Sequence, residues 1–578
     1  MKALYKLINK YFWKGTIGPI FCFVIPSILL FFLGIILGYE YILPGAFTLP
    51  ILTTGLVFMP QSIYEFKSSS LLKRIGLTNV NSSRFLFVIF SYNFLIIILG
   101  IIMQFCISFL VFYDDLYTVS NGILPVLETI AVTKLSYLDT LESVRWLSFI
   151  YSLFILIALT MVIGLYISSF SNSSLFIVST GISVILITMF VGPAALPIYM
   201  VGRVEAIKII GYFWPLRYAL GALIESFNGG SSDALVANNL LGSSIWDVNT
   251  DYVIFDLFAT SSQANKHIVY FNRIDKILNL TMPYVLLVIF GLLTLSKFSW
   301  STRTVKKIQF DKINSLELLN FKEKKKNKKQ SFKNSYLKGS EESPFIIEAN
   351  SITKVFGNSK NKFCANDDIN ISFKRGENVA ILGGNGAGKT TFIEMLLGVD
   401  TPTSGYFRFN YKYQKKFKYH LGVQFQDCSF PSGLKCKDII LFFIDIYNLH
   451  ISNKDLNKMI KEFGVEKFYN KNASSLSGGQ RQRVNLLLAI LHKPKIIFLD
   501  ELSTGLDIKI RNSIKTFIKK YAEENDILLV VISHDINEIE YLCDRIIILE
   551  KGKVVSDVQK SDIMKKNNLE EYITKYLS

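Results

Sequence analysis

Near residue 300 the hydrophobic pattern of the chain changes character. Before that point, uncharged apolar runs recur that are long enough to cross a bilayer, which takes about 20 helical residues. They predict six helical spans, at 17–38, 42–63, 85–112, 147–170, 174–192 and 280–299. After residue 345, short apolar runs bounded by glycine and polar residues alternate with amphipathic stretches, the pattern of a soluble α/β domain. The fold class expected is a multidomain membrane protein, with a six-helix all-α transmembrane domain at 1–300 followed by an α/β domain at 346–578. A lysine-rich, low-complexity linker at 301–345 joins them and is expected to have no fold of its own.

The connections carry further information. Lys2, Lys6, Lys10 and Lys14, with Phe12 and Trp13 among them, precede the first span, so residues 1–14 read as an interfacial helix. That span is longer than the apolar core of a cleaved signal. The connection at 64–84 is basic (Lys67, Lys73, Arg74, Arg84), whereas 113–146 is dominated by Asp114, Asp115, Glu128, Asp139 and Glu142. The stretch after the last span opens with Arg303, Lys306 and Lys307. By the positive-inside rule both termini and the α/β domain are cytoplasmic, and a region at about 193–279 is external. In that region Pro193, Pro197 and Pro215 break an apolar stretch into short re-entrant or interfacial helices, and polar residues 226–278 form a modest external cap. Leu71, Leu72 and Ile75 fall at helical spacing in the second connection, predicting a short amphipathic helix that either anchors in headgroups or docks on the α/β domain. The connection at Ser171–Ser174 is too short for a second such extension. Asn93 and Gln104 in the third span read as packing residues, with a path-lining role as the alternative.

Composition sharpens this picture. Half of the 578 residues are hydrophobic and 14% are aromatic, and the mean hydropathy is +0.34, which excludes one ordinary soluble domain. A formal charge of +17 could suggest nucleic acid, yet much of the excess lies beside the spans, above all in Lys322, Lys324, Lys325, Lys326, Lys328 and Lys329. Juxtamembrane lysine orients helices and attracts anionic lipid, and no recognition motif accompanies it, so no nucleic-acid partner is expected. The six cysteines have no metal-ligand spacing and read as small buried hydrophobes.

The chemistry lies after residue 345. Asn378-Val-Ala-Ile-Leu is a strand, Gly383 to Thr390 fits G-x-x-x-x-G-K-T, and an amphipathic helix follows. Glycines such as Gly383, Gly386 and Gly388, with Asn385 between them, let backbone N–H groups turn onto phosphates at a helix N-terminus. Lys389 is placed to neutralise the β- and γ-phosphates, Thr390 to reach Mg²⁺ and Thr391 to take the α-phosphate. Ile496-Ile-Phe-Leu-Asp-Glu is an apolar strand ending in two carboxylates: Asp500 suits the Mg²⁺ shell and Glu501 the polarisation of attacking water. A helix cap is the bland alternative for that pair. Leu476-Ser-Gly-Gly-Gln-Arg-Gln-Arg supplies a second anion-binding nest, Ser477, Gly478, Gly479 and Gln480. Two cradles in one ATPase domain make sense if each nucleotide is held between two facing copies.

With this last motif the chain is similar to the ATP-binding cassette (ABC) family, and the resemblance covers 345–578. It implies that Phe356 stacks on adenine, that Gln426 senses Mg²⁺ and the membrane domain, that Asp507 is the D-loop aspartate and that His534 contacts the γ-phosphate. Leu502 departs from the family, which usually has proline after the two carboxylates. Residues 1–300 resemble the type-two (type V) ABC exporters through the basic N-terminal helix, Tyr41-Ile-Leu-Pro-Gly, Lys73-Arg-Ile, Phe213-Trp-Pro-Leu and Phe298-Ser-Trp. The resemblance implies a plasma-membrane half-transporter that pairs with a second half, favouring a homodimer, and couples ATP and Mg²⁺ to export of a lipid, drug or peptide. An ATP-driven mechanotransmitter that moves nothing is the alternative, sharing every cassette residue.

Overall fold

The computed structural model describes residues 1–37, 45–78, 80–112, 141, 144–171, 173–191, 205–227, 273–297, 335–358, 361–412, 417–425, 428–502, 508–565 and 568–577. The chain forms two compact units, one made of 8–67 and 86–301, the other of 1–7, 68–85 and 302–578.

The first of these is helical and, of the helices α1 to α10 that follow, it holds all but α4, residues 2–7 of α1, Ser68 of α3 and residues 82–85 of α5, which fall in the other. Helix α1 is Lys2–Lys14, and α2 runs through Ile17–Pro19, a π-helical turn at Ile20–Val24 and Ile25–Leu37. Helix α3 is built in the same way from Leu49–Thr53, Thr54–Phe58 and Met59–Ser68. Then come α4 (Ser70–Leu77), α5 (Ser82–Phe112), α6 (Trp146–Phe170), α7 (Ser174–Val191), α8 (Glu205–Tyr212), α9 (Pro215–Phe227) and α10 (Arg273–Lys297). Among the described residues five helices are long and apolar enough to cross a membrane: Ile17–Gly34, Ser83–Val111, Trp146–Phe170, Ser174–Val191 and Ile277–Lys297.

Most of the expected second span, 42–63, falls in α3. Residues 42–44 lie outside the described ones, and α3 continues to Ser68. Every residue of Leu49–Phe58 is buried. Close packing explains this: a Cβ at Gly164 of α6 would lie 2.0 Å from the Gly55 carbonyl oxygen, so only glycine lets the two backbones meet. Gln61 Nε2 donates to Ser174 Oγ at 2.6 Å, tying α3 to α7. Asn93 and Gln104 are fully buried, with Asn93 Nδ2 donating to the Ile89 carbonyl and Gln104 Nε2 to Ser27 Oγ, which is the packing role. The broken apolar stretch forms α8 and α9, separated before Pro215, and most of the expected cap lies outside the described residues. The last helix starts at Arg273, earlier than the expected 280.

The second unit holds two sheets. One has the order β1-β5-β2-β3, from Tyr336–Lys338, Ser404–Phe409, Phe345–Asn358 and Asn361–Lys374. Here the linker differs from expectation, because 336–338 pair in parallel with 407–409. Tyr336 stacks on Phe417 and donates to the Asp400 carbonyl, contacts that fix an aromatic the lysine-rich context concealed.

The other sheet has the order β10-β9-β4-β8-β7-β6, with β4 Asn378–Leu382, β6 Leu421–Gln424, β7 Ile496–Asp500, β8 Leu528–Ile532, β9 Arg545–Glu550 and β10 Lys553–Gln559. Only the β9–β10 pair is antiparallel. Strands β4 and β8 are buried at every position, as parallel strands covered on both faces should be. The helices of this unit are α11 (Lys389–Leu396), α12 (Cys436–Tyr447), α13 (Asn453–Glu462), α14 (Gly478–Ile490), α15 (Ile508–Glu524), α16 (Ile536–Leu542), α17 (Lys560–Met564) and α18 (Leu569–Leu577).

Candidate functional site

Ligands of open α/β sheets bind beyond the carboxyl ends of the strands. Strands β4, β8 and β7 are neighbours, and their carboxyl ends lead into Gly383, Ser533 and Glu501. After β4 the chain turns through Gly383, Gly386 and Gly388 at φ of +148°, +83° and +96°, which brings successive N–H groups to one side before α11 begins. Gly388 has no alternative: a Cβ there would lie 2.4 Å from the Ala365 carbonyl oxygen. Lys389 arches back over the loop, its ammonium donating to the carbonyls of Gly383 at 2.5 Å and Gly384 at 3.1 Å. Burial lowers its pKa, and Asp500 and Glu501 oppose that shift. Asn385, Gly386 and Thr390 are exposed and Thr391 is half-buried, on the surface of this cradle.

Asp500 and Ile532 are register partners in the β7–β8 pair, and the Glu501 N–H donates to the Ile532 carbonyl at 2.9 Å. That register brings Glu501 beside the strand end leading to Ser533 and His534, although the two motifs are far apart in sequence. Glu501 holds a left-handed φ of +55°, a conformation that costs a non-glycine residue free energy. Burial, then the neighbouring Glu501 charge, pushes the Asp500 carboxyl up to about 6, while Lys389 and Lys73 pull the other way. Oxygen donors of this kind, carboxylate and hydroxyl, suit Mg²⁺, which keeps several waters and substrate phosphates as ligands. Leu502 is fully buried, so the residue in the family's proline position serves the core.

Gln482 and Asn485 brace the candidate site, and motif reading did not single them out. Gln482 Nε2 donates to the Glu501 carbonyl at 3.1 Å, and Gln424 Nε2 donates to the Asp500 carbonyl at 3.2 Å. Asn485 is fully buried on α14 and donates to the Phe425 carbonyl at 2.8 Å and to Cys428 Sγ at 2.9 Å. Their signal in the sequence was two polar residues on the inward face of a helix otherwise filled by Val484, Leu487 and Leu488.

Ser477 is the N-cap of α14, with a capping box in which its hydroxyl accepts from the Gln480 N–H and its own N–H donates to Gln480 Oε1. A Cβ on Gly478 would meet nothing within 4 Å, and its φ is not left-handed, so nothing in this chain demands glycine there. Phe356 is half-buried on β2 with the Lys354 ammonium 5.0 Å from its ring. His534 is exposed and lines a cavity of about 510 Å³ with Asp535, Asn537, Glu540, Met564 and Glu570. That cavity includes no phosphate-loop residue. Gln426 and Asp507 lie outside the described residues.

Helix α4 belongs to this same unit. Leu71, Arg74, Ile75 and Leu77 are buried, and Leu77 joins the core cluster that contains Phe373, Phe392 and Phe409. The Ser70 N–H and hydroxyl both donate to the Ser429 carbonyl, and Ser429 Oγ donates to the Ser68 carbonyl. Of the two readings of this amphipathic segment, docking is the one the contacts support. The break at Ser69, in extended backbone (φ −92°, ψ 153°), separates α4 from α3 where one helix over 65–78 was expected.

A glycine loop with a lysine between a strand and a helix, two carboxylates closing a parallel strand, and a second glycine nest define a nucleotide-hydrolysing domain. The family model described as ABC transporter matches residues 366–504. The chain is 30% identical over 240 residues to the methionine import ATP-binding protein MetN of Bacillus subtilis (strain 168), covering 40% of this chain and 70% of that protein. It is 31% identical to the bacitracin transport ATP-binding protein BcrA of Bacillus licheniformis (38% and 72% covered). With the probable multidrug ABC transporter ATP-binding protein YbhF of Escherichia coli (strain K12) it shares 33% identity, over 38% of each chain, so it spans well under half of that relative. A solved structure, the dimeric MJ0796 cassette, is 28% identical over 37% of this chain, with a TM-score of 0.33. The chain belongs to the ABC transporter family and carries its ATPase domain, preceded by apolar, membrane-type helices.

Proposed function

We propose that the chain is one half of a type-two (type V) ABC exporter, active as a dimer and most simply as a homodimer. Its domains are a transmembrane domain at 1–300, a linker beginning at 301, and a cassette on the cytoplasmic side of a plasma membrane. The observation that carries this reading is α4, a segment lying between apolar helices in sequence yet built into the cassette through Ser70, Arg74 and Leu77. Import proteins among the relatives leave the direction open; the fused order, membrane helices first, and the short connection at Ser171–Ser174 support export.

In this reading ATP lies between Lys389 of one chain and Ser477 of its partner. The open space at Gly478 supports this, since glycine there admits a ligand held from outside the chain. Phe356 stacks on the base, and the N–H groups of Gly383 to Thr391 hold the phosphates. Mg²⁺, held by Thr390, Asp500 and Gln426, would neutralise developing charge on the phosphates when bound. Glu501, held by Gln482 and the β8 carbonyl, orients the attacking water, and His534 meets the γ-phosphate. Asp507 is the D-loop aspartate in this reading. Closure of two cassettes pulls on α4, and hydrolysis releases it.

Reconstitution in vesicles tests the reading. ATP-dependent flux of a lipid, drug or peptide should appear, and Ser477→Arg should remove it while each chain still binds nucleotide. ATPase stimulation without any flux would favour the mechanotransmitter. Full hydrolysis by a strict monomer would overturn the dimer.

A further inference from the structure

A line of side-chain hydrogen bonds runs from α4 to the main chain of Glu501. Arg74 Nη2 donates to Asn485 Oδ1, and Asn485 Nδ2 donates to Cys428 Sγ at 2.9 Å. Cys428 Sγ donates to Gln482 Oε1 at 2.9 Å, and Gln482 Nε2 donates to the Glu501 carbonyl at 3.1 Å. All of these residues belong to one unit of the fold. Arg74, Asn485 and Gln482 are buried, so water competes little for these bonds and each is stronger than it would be at the surface.

The polarity of the line is set by its two ends. A guanidinium can only donate, and a main-chain carbonyl can only accept. Asn485 must therefore turn its oxygen to Arg74 and its nitrogen to Cys428, while Gln482 turns its nitrogen to Glu501 and its oxygen to Cys428. The group between them has to accept on one side and donate on the other. A thiol or a hydroxyl does both; an aliphatic side chain does neither. The Phe425 carbonyl, 3.4 Å from Sγ, is a longer alternative for the same proton and already accepts from Asn485 Nδ2 at 2.8 Å. Expected as a small buried hydrophobe, Cys428 is instead half-buried and used as a polar residue.

What the line holds is a strained residue. The left-handed backbone of Glu501 persists only where its surroundings over-determine it. Its N–H is fixed by the Ile532 carbonyl and its own carbonyl by Gln482. If Gln482 slackens, the peptide after Glu501 is free to turn and the carboxylate moves with it. Displacement of a reacting group by about 1 Å is enough to cost rate. We infer that Cys428 is a positioning residue for ATP hydrolysis, aligning Gln482 on Glu501 and tying that alignment through Asn485 to Arg74 of α4. This rests on the reading of Glu501 as the residue that orients the attacking water, and deepens it.

The test measures phosphate release by the full-length protein in lipid nanodiscs, with kcat and KM resolved. Cys428→Ala should lower kcat about three- to tenfold, the worth of one hydrogen bond, and leave KM for ATP within about twofold. Cys428→Ser keeps a group that accepts and donates, and should restore most of the loss. The effect has to pass through the carboxylate, so in a Glu501→Gln background Cys428→Ala should slow single-turnover hydrolysis no further. An equal further loss there, a serine variant no better than alanine, or wild-type kcat in Cys428→Ala overturns the inference and leaves Glu501 in its role. Undiminished turnover in Glu501→Gln alone would remove the base and this inference together.

Discussion

Arg74 Nη2 donates to the main-chain carbonyl of Asn485 at 2.9 Å, joining a helix flanked by membrane-type segments to the helix that begins with the second glycine nest. Asn485 in turn bonds Phe425 and Cys428, just before and after the expected Mg²⁺-sensing Gln426. The Arg74 guanidinium also lies 5.5 Å from the Phe425 ring. One buried amide thus connects the docking helix, the loop after β6 and α14.

Arg74→Ala should therefore loosen α4 from the cassette. A hydrogen bond from a charged donor is worth about 1.5–3 kcal/mol. Hydrogen exchange of the amides at 70–78 and 428–429 should accelerate by about the tenfold or more that this energy implies. Exchange at wild-type rates in those segments would show that the pair does not hold the contact.

Glu501→Gln should lower steady-state ATPase turnover by about a hundredfold or more, the range for loss of a general base, while nucleotide still binds. Fluorescent-nucleotide titration beside a phosphate-release assay separates the two. Undiminished turnover would move the base elsewhere.

At Gly388 both backbone and space demand glycine. Gly388→Ala should strain the phosphate loop by about 1–3 kcal/mol and weaken ATP binding by the corresponding factor. Isothermal titration checks this, and unchanged affinity would contradict the geometry. Gly478→Ala is the contrast: within one chain it should leave the melting temperature unchanged, because a methyl group there meets nothing within 4 Å.

His492 is buried, stacked on Tyr447, and bonds the Leu421 carbonyl through Nε2 at 3.1 Å. Burial lowers its pKa to about 3 against a weaker opposing effect of that hydrogen bond. The unfolded chain then binds a proton that the folded one refuses between an unfolded pKa of about 6.5 and the folded value. Its contribution to stability is complete above that upper limit and is lost as the pH falls toward the lower one. Thermal melts of the full-length protein from pH 7 downward should show a steeper loss in wild type than in His492→Gln. Parallel curves would mean that His492 titrates normally.

Local pattern carried much of this molecule. Lysines ahead of Ile17, uncharged runs of span length, and the strand-loop-helix around Lys389 are readable because each is dictated by neighbours in sequence. Where expectation and structure part, the cause is long-range. The second span is buried along Leu49–Phe58 because Gly55 meets Gly164 of another helix, and the linker's end becomes a strand because Tyr336 finds Phe407 and Phe417. Neither encounter leaves a trace in the residues immediately around it.

The sequence by itself determined that apolar, membrane-type helices precede an ATPase domain, since phosphate chemistry requires glycine loops, a lysine and carboxylates at fixed spacing. Only the tertiary structure decided that Glu501, at the end of β7, lies beside the carboxyl end of β8 in a left-handed conformation, and that Arg74 is a buried contact instead of a headgroup anchor. Those are properties of pairs distant in the chain, fixed by strand register and close helix packing, which no local pattern encodes.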